Sequence, residues 1–171
     1  VLTLDGSNRI TLLNQQGMGD LKNPTMPFAR LLMDDQKREA LRKIIYDAFG
    51  FYSVIDATAG GNLQIRFGTT LPPNERKDLY TDETVNYMRE AKDIQNVSDG
   101  VKAFTGILVQ LYAGNPEVII VDEPEAFLHP SLAMKLGKEL ASGAVTQNKS
   151  VFISTHNPQI IMGAVSSGAK V

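Results

Sequence analysis

The run Val118–Pro130, VIIVDEPEAFLHP, constrains this chain more than any other stretch. Four apolar residues lead straight into two adjacent carboxylates, Asp122 and Glu123, and then into Pro124. This reads as a buried strand that presents both carboxylates at its tip. Further on, a second apolar run, VFIST, ends at His156. Two short β-branched runs, each delivering a polar group at its C-terminal end, are how open α/β sheets build sites. The chemistry suits such a tip. One carboxylate can hold Mg²⁺, directly or through water, while the next faces a water that attacks a phosphate. The competing reading is a strand followed by a solvated acidic turn. Pro124, the Leu-His-Pro turn and the STH strand weigh against it.

Composition sets wide bounds. The 171 residues suffice for one domain with a sizeable core. Hydrophobic residues make up 43% and charged residues 21%, which is ordinary for a globular chain. The net charge of -2 supplies no basic field for nucleic acid. With no cysteine, disulfides and thiolate metal sites are excluded, and a reducing compartment fits. No apolar stretch approaches the roughly 20 residues of a membrane span, so no membrane partner and a cytoplasmic location are expected. The opening VLTLDGSNRI lacks Met and a signal-peptide pattern, and both ends look like interrupted strands. The expectation is a fragment of a larger protein.

Along the chain, VLTL and ITLL alternate around Asp5-Gly6 and predict a hairpin. Residues 14–27 hold Gly, Asn and two prolines and read as loop. From Phe28 to Phe49 apolar residues recur at helical spacing. Asp34 is the expected N-cap of a helix over Asp35–Phe49, and Gly50 the stop. FYSVIDA and NLQIRFG predict a second hairpin around Gly60-Gly61. Residues 69–97 read as a polar, mobile linker with some helix near Glu83–Lys92. Ser98 opens a helix to about Ala113, closed by Gly114-Asn115-Pro116. A strand, a helix over Ser131–Ser142, a strand over 151–155 and a short helix from Pro158 to Val165 follow. This order predicts an α/β fold: a parallel sheet with helical crossovers in the C-terminal half, and antiparallel hairpins plus a helix in the N-terminal half.

The order of Ser98 helix, DEP strand, LHP turn and STH strand resembles the ATP-binding-cassette (ABC) class of P-loop ATPases. More narrowly, VDEPEAFLHP resembles the soluble branch that contains the overcoming-lysogenisation-defect (OLD) nucleases and related AAA-type repair or phage-defence ATPases. The likeness covers residues 96–160 well and 28–68 loosely. It implies a P-loop NTPase-like head in which VIIVDE is the Walker B element. Asp122 then matches the Mg²⁺-associated aspartate and Glu123 the catalytic glutamate that polarises the attacking water. His156 matches the switch histidine that hydrogen-bonds the γ-phosphate or that water. Read by itself, His156 is more simply a strand-end histidine bonded to a neighbouring carbonyl.

Other matches are partial. Family members carry a Ser-Gly-Gly type turn at a helix N-terminus, where backbone N–H groups face phosphate. Here NVSDGVKAF keeps Ser98 and Gly100, but Asp99 stands where a small residue is usual. An ordinary Ser N-cap with an acidic first turn reads the same way. Lys102 could reach phosphate, though an exposed lysine is the plainer reading. Residues Glu125–His129 match the D-loop that crosses a dimer interface, and LHP in place of an acidic residue favours the soluble branch over transporters. His129 is then a nucleotide-side interface contact or a helix-entry packing residue. Gln15 or Gln16 could stand for the Mg²⁺-sensing glutamine. No Gly-x4-Gly-Lys-Ser/Thr run exists: at Lys149-Ser150, Asn148 replaces the glycine and a strand follows. Walker A is expected upstream of Val1.

The resemblance implies a mechanism. Two heads sandwich ATP and Mg²⁺, with Asp122, Glu123 and His156 acting in cis and Ser98 and Gly100 in trans, so a homodimer is expected. A DNA or nuclease partner would engage regions outside these residues. As domains, 1–171 is one partial ATPase head: hairpins and helix over 1–68, linker over 69–97, and signature, Walker B and switch-His region over 98–171. Alone, the chain is expected to bind ATP poorly and not to hydrolyse it. The alternatives are a non-catalytic regulatory or dimerisation module, a helicase and a metal nuclease. A helicase fits the LHP turn poorly and should show later arginines, and a nuclease built on Asp122, Glu123 and His156 explains neither the Ser98 helix nor that turn.

Overall fold

Local sequence signals account for most element ends. The computed structural model describes residues 1–6, 8–73 and 81–171. In chain order the elements are β1 (Leu2–Leu4), α1 (Asn8–Thr11), β2 (Gln16–Gly17), α2 (Pro27–Met33), α3 (Asp35–Phe49), β3 (Tyr52–Asp56) and β4 (Asn62–Gly68). They continue with α4 (Asp82–Glu90), β5 (Lys92–Asp93), a 3₁₀ turn at Ile94–Asn96, α5 (Asp99–Ala113), β6 (Val118–Asp122), α6 (Pro130–Thr146), β7 (Ser150–Ser154) and α7 (Pro158–Ser166). No helix among the described residues is long and apolar enough to cross a membrane.

Residues 1–12 and 98–171 form one unit, residues 13–97 another. The first unit is built on a parallel sheet in the order β1-β6-β7. Helix α5 begins at Ser98, whose hydroxyl accepts from Val101 N. It is apolar nearly all round and buried along most of its length, as a central helix must be. Helices α6 and α7 cross through small residues. A Cβ on Gly137 would stand 2.3 Å from the Ile160 carbonyl oxygen, and one on Gly163 would stand 2.0 Å from that of Met134. Only bare backbone allows this approach.

Two expectations fail here. The hairpin over residues 1–13 does not exist: β1 pairs in parallel with β6, and Asn8–Thr11 is helical. Asp5 Oδ1 accepts from Asn8 N and turns the chain into α1 instead of back along β1. The second failure concerns β6, which is not buried on both faces. Ile119 and Val121 are enclosed, whereas Ile120 and its register partner Phe152 are exposed at 37% and 61%. An apolar run by itself does not reveal which face is covered.

In the second unit β3 and β4 form the expected antiparallel hairpin, with Tyr52 opposite Gly68 and Asp56 opposite Gln64. Gly60 and Gly61 turn it with positive φ. Strand β4 also pairs with β2 and β5, both antiparallel. Asp34 caps α3 by accepting from Lys37 N, and Gly50 ends it in the left-handed conformation. The apolar stretch from Phe28 is broken into α2 and α3 at Asp34, which is extended and serves both helices as a cap. Arg38 fixes the break by donating to the carbonyls of Leu31 and Leu32 at the end of α2. Buried Arg42 donates to the Ser53 carbonyl and ties α3 to β3. Within the span read as a polar linker lie α4, β5 and the 3₁₀ turn, with Met88 and Ala91 packed on Val54. Residues 74–80 of that span lie outside the described residues.

Candidate functional site

Strands β6 and β7 run in parallel with Asp122 directly opposite Ser154, so they end level. Glu123 N donates to Ser154 O at 2.7 Å and extends the ladder by one step. The DEP and STH segments therefore emerge side by side. The Glu123 carboxylate oxygen Oε1 stands 3.2 Å from His156 Nδ1, and both side chains are largely exposed. An exposed pair of this kind adds little to stability. Its meaning is chemical: an acid–base pair at hydrogen-bond range, open to solvent on one side. With Nδ1 protonated toward Glu123, the neutral ring keeps an acceptor at Nε2, and only the imidazolium donates from both nitrogens. Asp122, also exposed, occupies the last position of β6.

Beneath the pair the loop is tightly wired. Glu123 has φ 48 and Phe127 φ 70, both in the left-handed region that favours glycine. Ala126 N donates to the Glu123 carbonyl, and Leu128 N to the Glu125 carbonyl. Thr155 Oγ1 donates to Glu125 Oε1 at 2.7 Å and accepts from Asn157 N, while Asn157 caps α7. Arg9, on α1, is 1% exposed and donates through Nη1 to the Glu123 carbonyl and through Nε to the Asp5 carbonyl. Burial pushes its guanidinium below the ordinary arginine range, and Glu125, Asp122, Asp5 and Glu123 draw it back.

Of the other predicted residues, Gly100 and His129 border this loop. Gly100 sits where a Cβ would meet the Phe127 carbonyl oxygen at 2.6 Å, so the first turn of α5 abuts the loop that follows DEP. Ser98 uses its hydroxyl as the α5 cap, and Asp99 pairs with Lys102 at 3.3 Å. His129 stands at the entry of α6, its Nδ1 3.2 Å from Ser131 Oγ. Gln16 accepts from Phe28 N through its side chain within the second unit. The geometry thus brings Asp122, Glu123 and His156 to the level ends of two adjacent strands, and Gly100 to the neighbouring loop. Sequence reasoning missed Arg9 and Thr155, and had Glu125 only as the first residue of the D-loop match. An isolated arginine or threonine carries no local pattern, and their partners are distant in sequence.

Among the described residues no cluster of three or more His, Cys, Asp or Glu side chains could hold a metal ion by itself. Asp122 and Glu123 offer hard, exposed oxygens. That donor set suits a Mg²⁺ that completes its shell with water and phosphate oxygens.

A family model described as "AAA domain, putative AbiEii toxin, Type IV TA system" matches residues 22–162. No curated protein matches. Among solved structures, one described as the SmcHead bound to the C-winged helix domain of ScpA shares 10% identity at a TM-score of 0.58. The match covers 94% of this chain and 48% of that one, so the chain spans about half its length. At that identity the likeness is one of fold: a P-loop NTPase-like architecture. Because the family match spans well over half of the sequence, the chain belongs to the AAA domain family.

Proposed function

We propose that this chain is the Walker B and switch-histidine part of an ATP-hydrolysing head. The observation that carries the reading is the Glu123–His156 contact, 3.2 Å across the level ends of two parallel strands. Asp122 would hold Mg²⁺, which when bound neutralises phosphate charge. Glu123 accepts a hydrogen bond from the attacking water and draws its proton, and an anionic carboxylate in solvent reach suits that task. His156 restrains the Glu123 carboxylate through Nδ1 and presents Nε2 to the reacting group. Ser98 and Gly100 would face the triphosphate of a second head, with His129 at the same interface, in an ATP-sandwiched homodimer. Within the chain, the bare backbone of Gly100 keeps the α5 N-terminus beside the loop that leads to His129.

The 171 residues contain no Gly-x4-Gly-Lys-Ser/Thr run, so this reading assigns the phosphate cradle to another segment and predicts no turnover by the chain alone. DNA repair or phage defence is the task we assign to such a head, reached through regions beyond these residues.

The test is Mg²⁺-dependent ATP hydrolysis by the full-length protein, with Glu123→Gln and His156→Ala beside the wild type. Loss of roughly 10²-fold or more in kcat is expected for Glu123→Gln, with ATP-bound dimers retained. Unchanged turnover in that variant removes Glu123 from its role. A wild type inactive with and without DNA would favour a regulatory or dimerisation module that keeps the fold.

A further inference from the structure

Glu123 is held in a conformation its side chain disfavours. A non-glycine residue at φ 48 costs on the order of 1–2 kcal/mol and persists only where its surroundings over-determine it. Three contacts do so. Glu123 N donates to Ser154 O, and the carbonyl accepts both from Ala126 N and from Arg9 Nη1. Two of these belong to the β7 ladder and to the tight turn after the strand. The third comes from a side chain 114 positions away in sequence. Arg9 is among the largest side chains completely enclosed by the fold, an uncommon place for a guanidinium. It is anchored at its other end by the Asp5 carbonyl. It is also the positive charge under Asp122, Glu123 and Glu125. The Cα–Cβ direction of Glu123, and so the reach of its carboxylate to His156, depends on where this carbonyl is held.

We infer that Arg9 is a positioning residue: by holding the Glu123 carbonyl it fixes the left-handed backbone that aims the Glu123 carboxylate at His156. This rests on the proposed role of Glu123. Arg9 touches neither carboxylate-bound water nor phosphate in this scheme; it acts through the main chain of its neighbour. A guanidinium can serve two carbonyls at once from a planar fork, whereas a lysine ammonium offers one flexible point of donation.

The experiment compares wild type, Arg9→Met, Arg9→Lys, Glu123→Gln and the Arg9→Met/Glu123→Gln double variant in the full-length protein. The readouts are steady-state kcat and KM, ATP affinity, single-turnover rates and thermal unfolding. Arg9→Met is expected to lower kcat by about 10–100-fold, the usual size of a supporting-contact effect, with KM and ATP affinity within about twofold. Arg9→Lys recovers part of the loss. The double variant is expected to be no slower than Glu123→Gln alone, because Arg9 acts only through that carboxylate. A merely structural arginine predicts lower stability with unchanged kcat per folded molecule, and an arginine acting apart from that carboxylate predicts a double variant slower than Glu123→Gln; either result overturns the inference. Should Arg9→Met not fold, Arg9→Lys decides: a folded variant with wild-type kcat also overturns it. If Glu123→Gln is inactive while both Arg9 variants are unaffected, only this inference falls. If Glu123→Gln turns over normally, the reading of Glu123 falls and this inference with it.

Discussion

At Glu123 the backbone and the side chain are asked for different things. The carboxylate must reach out of the sheet toward His156, while N and O stay bonded to Ser154, Ala126 and Arg9. The left-handed φ reconciles the two. Gly100 meets a simpler demand, space. Alanine there would gain about 1 kcal/mol in helix propensity, yet its Cβ would press on the Phe127 carbonyl oxygen at 2.6 Å, and main chain yields less readily than a side chain. Gly100→Ala is therefore expected to lose about 1–3 kcal/mol in unfolding free energy, read from the denaturant midpoint. A midpoint at or above wild type would mean the loop moves aside at no cost. Ser98→Ala tests the cap next to it and should cost about 1 kcal/mol by the same measurement.

Among the elements, the β3–β4 hairpin carries a pH-dependent lock. Asp56 is 1% exposed and accepts from Thr58, Gln64 and Arg66, the last at 2.6 Å. Burial raises its pKa, but the hydrogen bonds outweigh burial and hold the carboxyl below its ordinary value. The sign follows directly. The folded state binds this proton more weakly than the unfolded state, so the stabilisation is complete above the unfolded value near 4 and is lost as pH falls through the folded one. Asp56→Asn is expected to cost about 3 kcal/mol at pH 7, because it leaves Arg66 without its buried partner. That cost should shrink between about pH 5 and pH 2 as the wild type itself is protonated. A difference constant across this range would rule out the lock. The α6–α7 crossing gives a second test. Gly163→Ala places a Cβ 2.0 Å from the Met134 carbonyl oxygen and should lower stability by about 1–3 kcal/mol or more, measured by thermal unfolding.

At this scale legibility divides by range. The α3 cap at Asp34, its Gly50 stop, the Ser98 cap and the Gly60-Gly61 turn were readable because each is settled within a few residues. The two buried arginines of α3 were not. Arg38 and Arg42 look like solvent positions paired with Asp35 and Glu39 one turn away, and nothing local announces the carbonyls of α2 and β3 to which they also donate.

For the whole molecule, the first twelve residues group with residues 98–171 rather than with their neighbours in sequence. The two runs that define the candidate site, VIIVDEP and VFISTH, declare their identity locally through composition and the polar residue at each tip. Family membership agrees with what those tips suggested. Sequence by itself thus determined the runs that form β1, β3, β4, β6 and β7, the caps of α3 and α5 and the class of fold. Tertiary structure alone decided that β1 joins β6 in parallel, that Asp122 comes level with Ser154, and that one face of β6 stays open. It alone also bound Arg9 to the main chain of Glu123. The physical reason is the reach of each interaction. Caps and turns are satisfied within about four residues. Register and buried charge contacts are chosen by partners far along the chain, which no local pattern names.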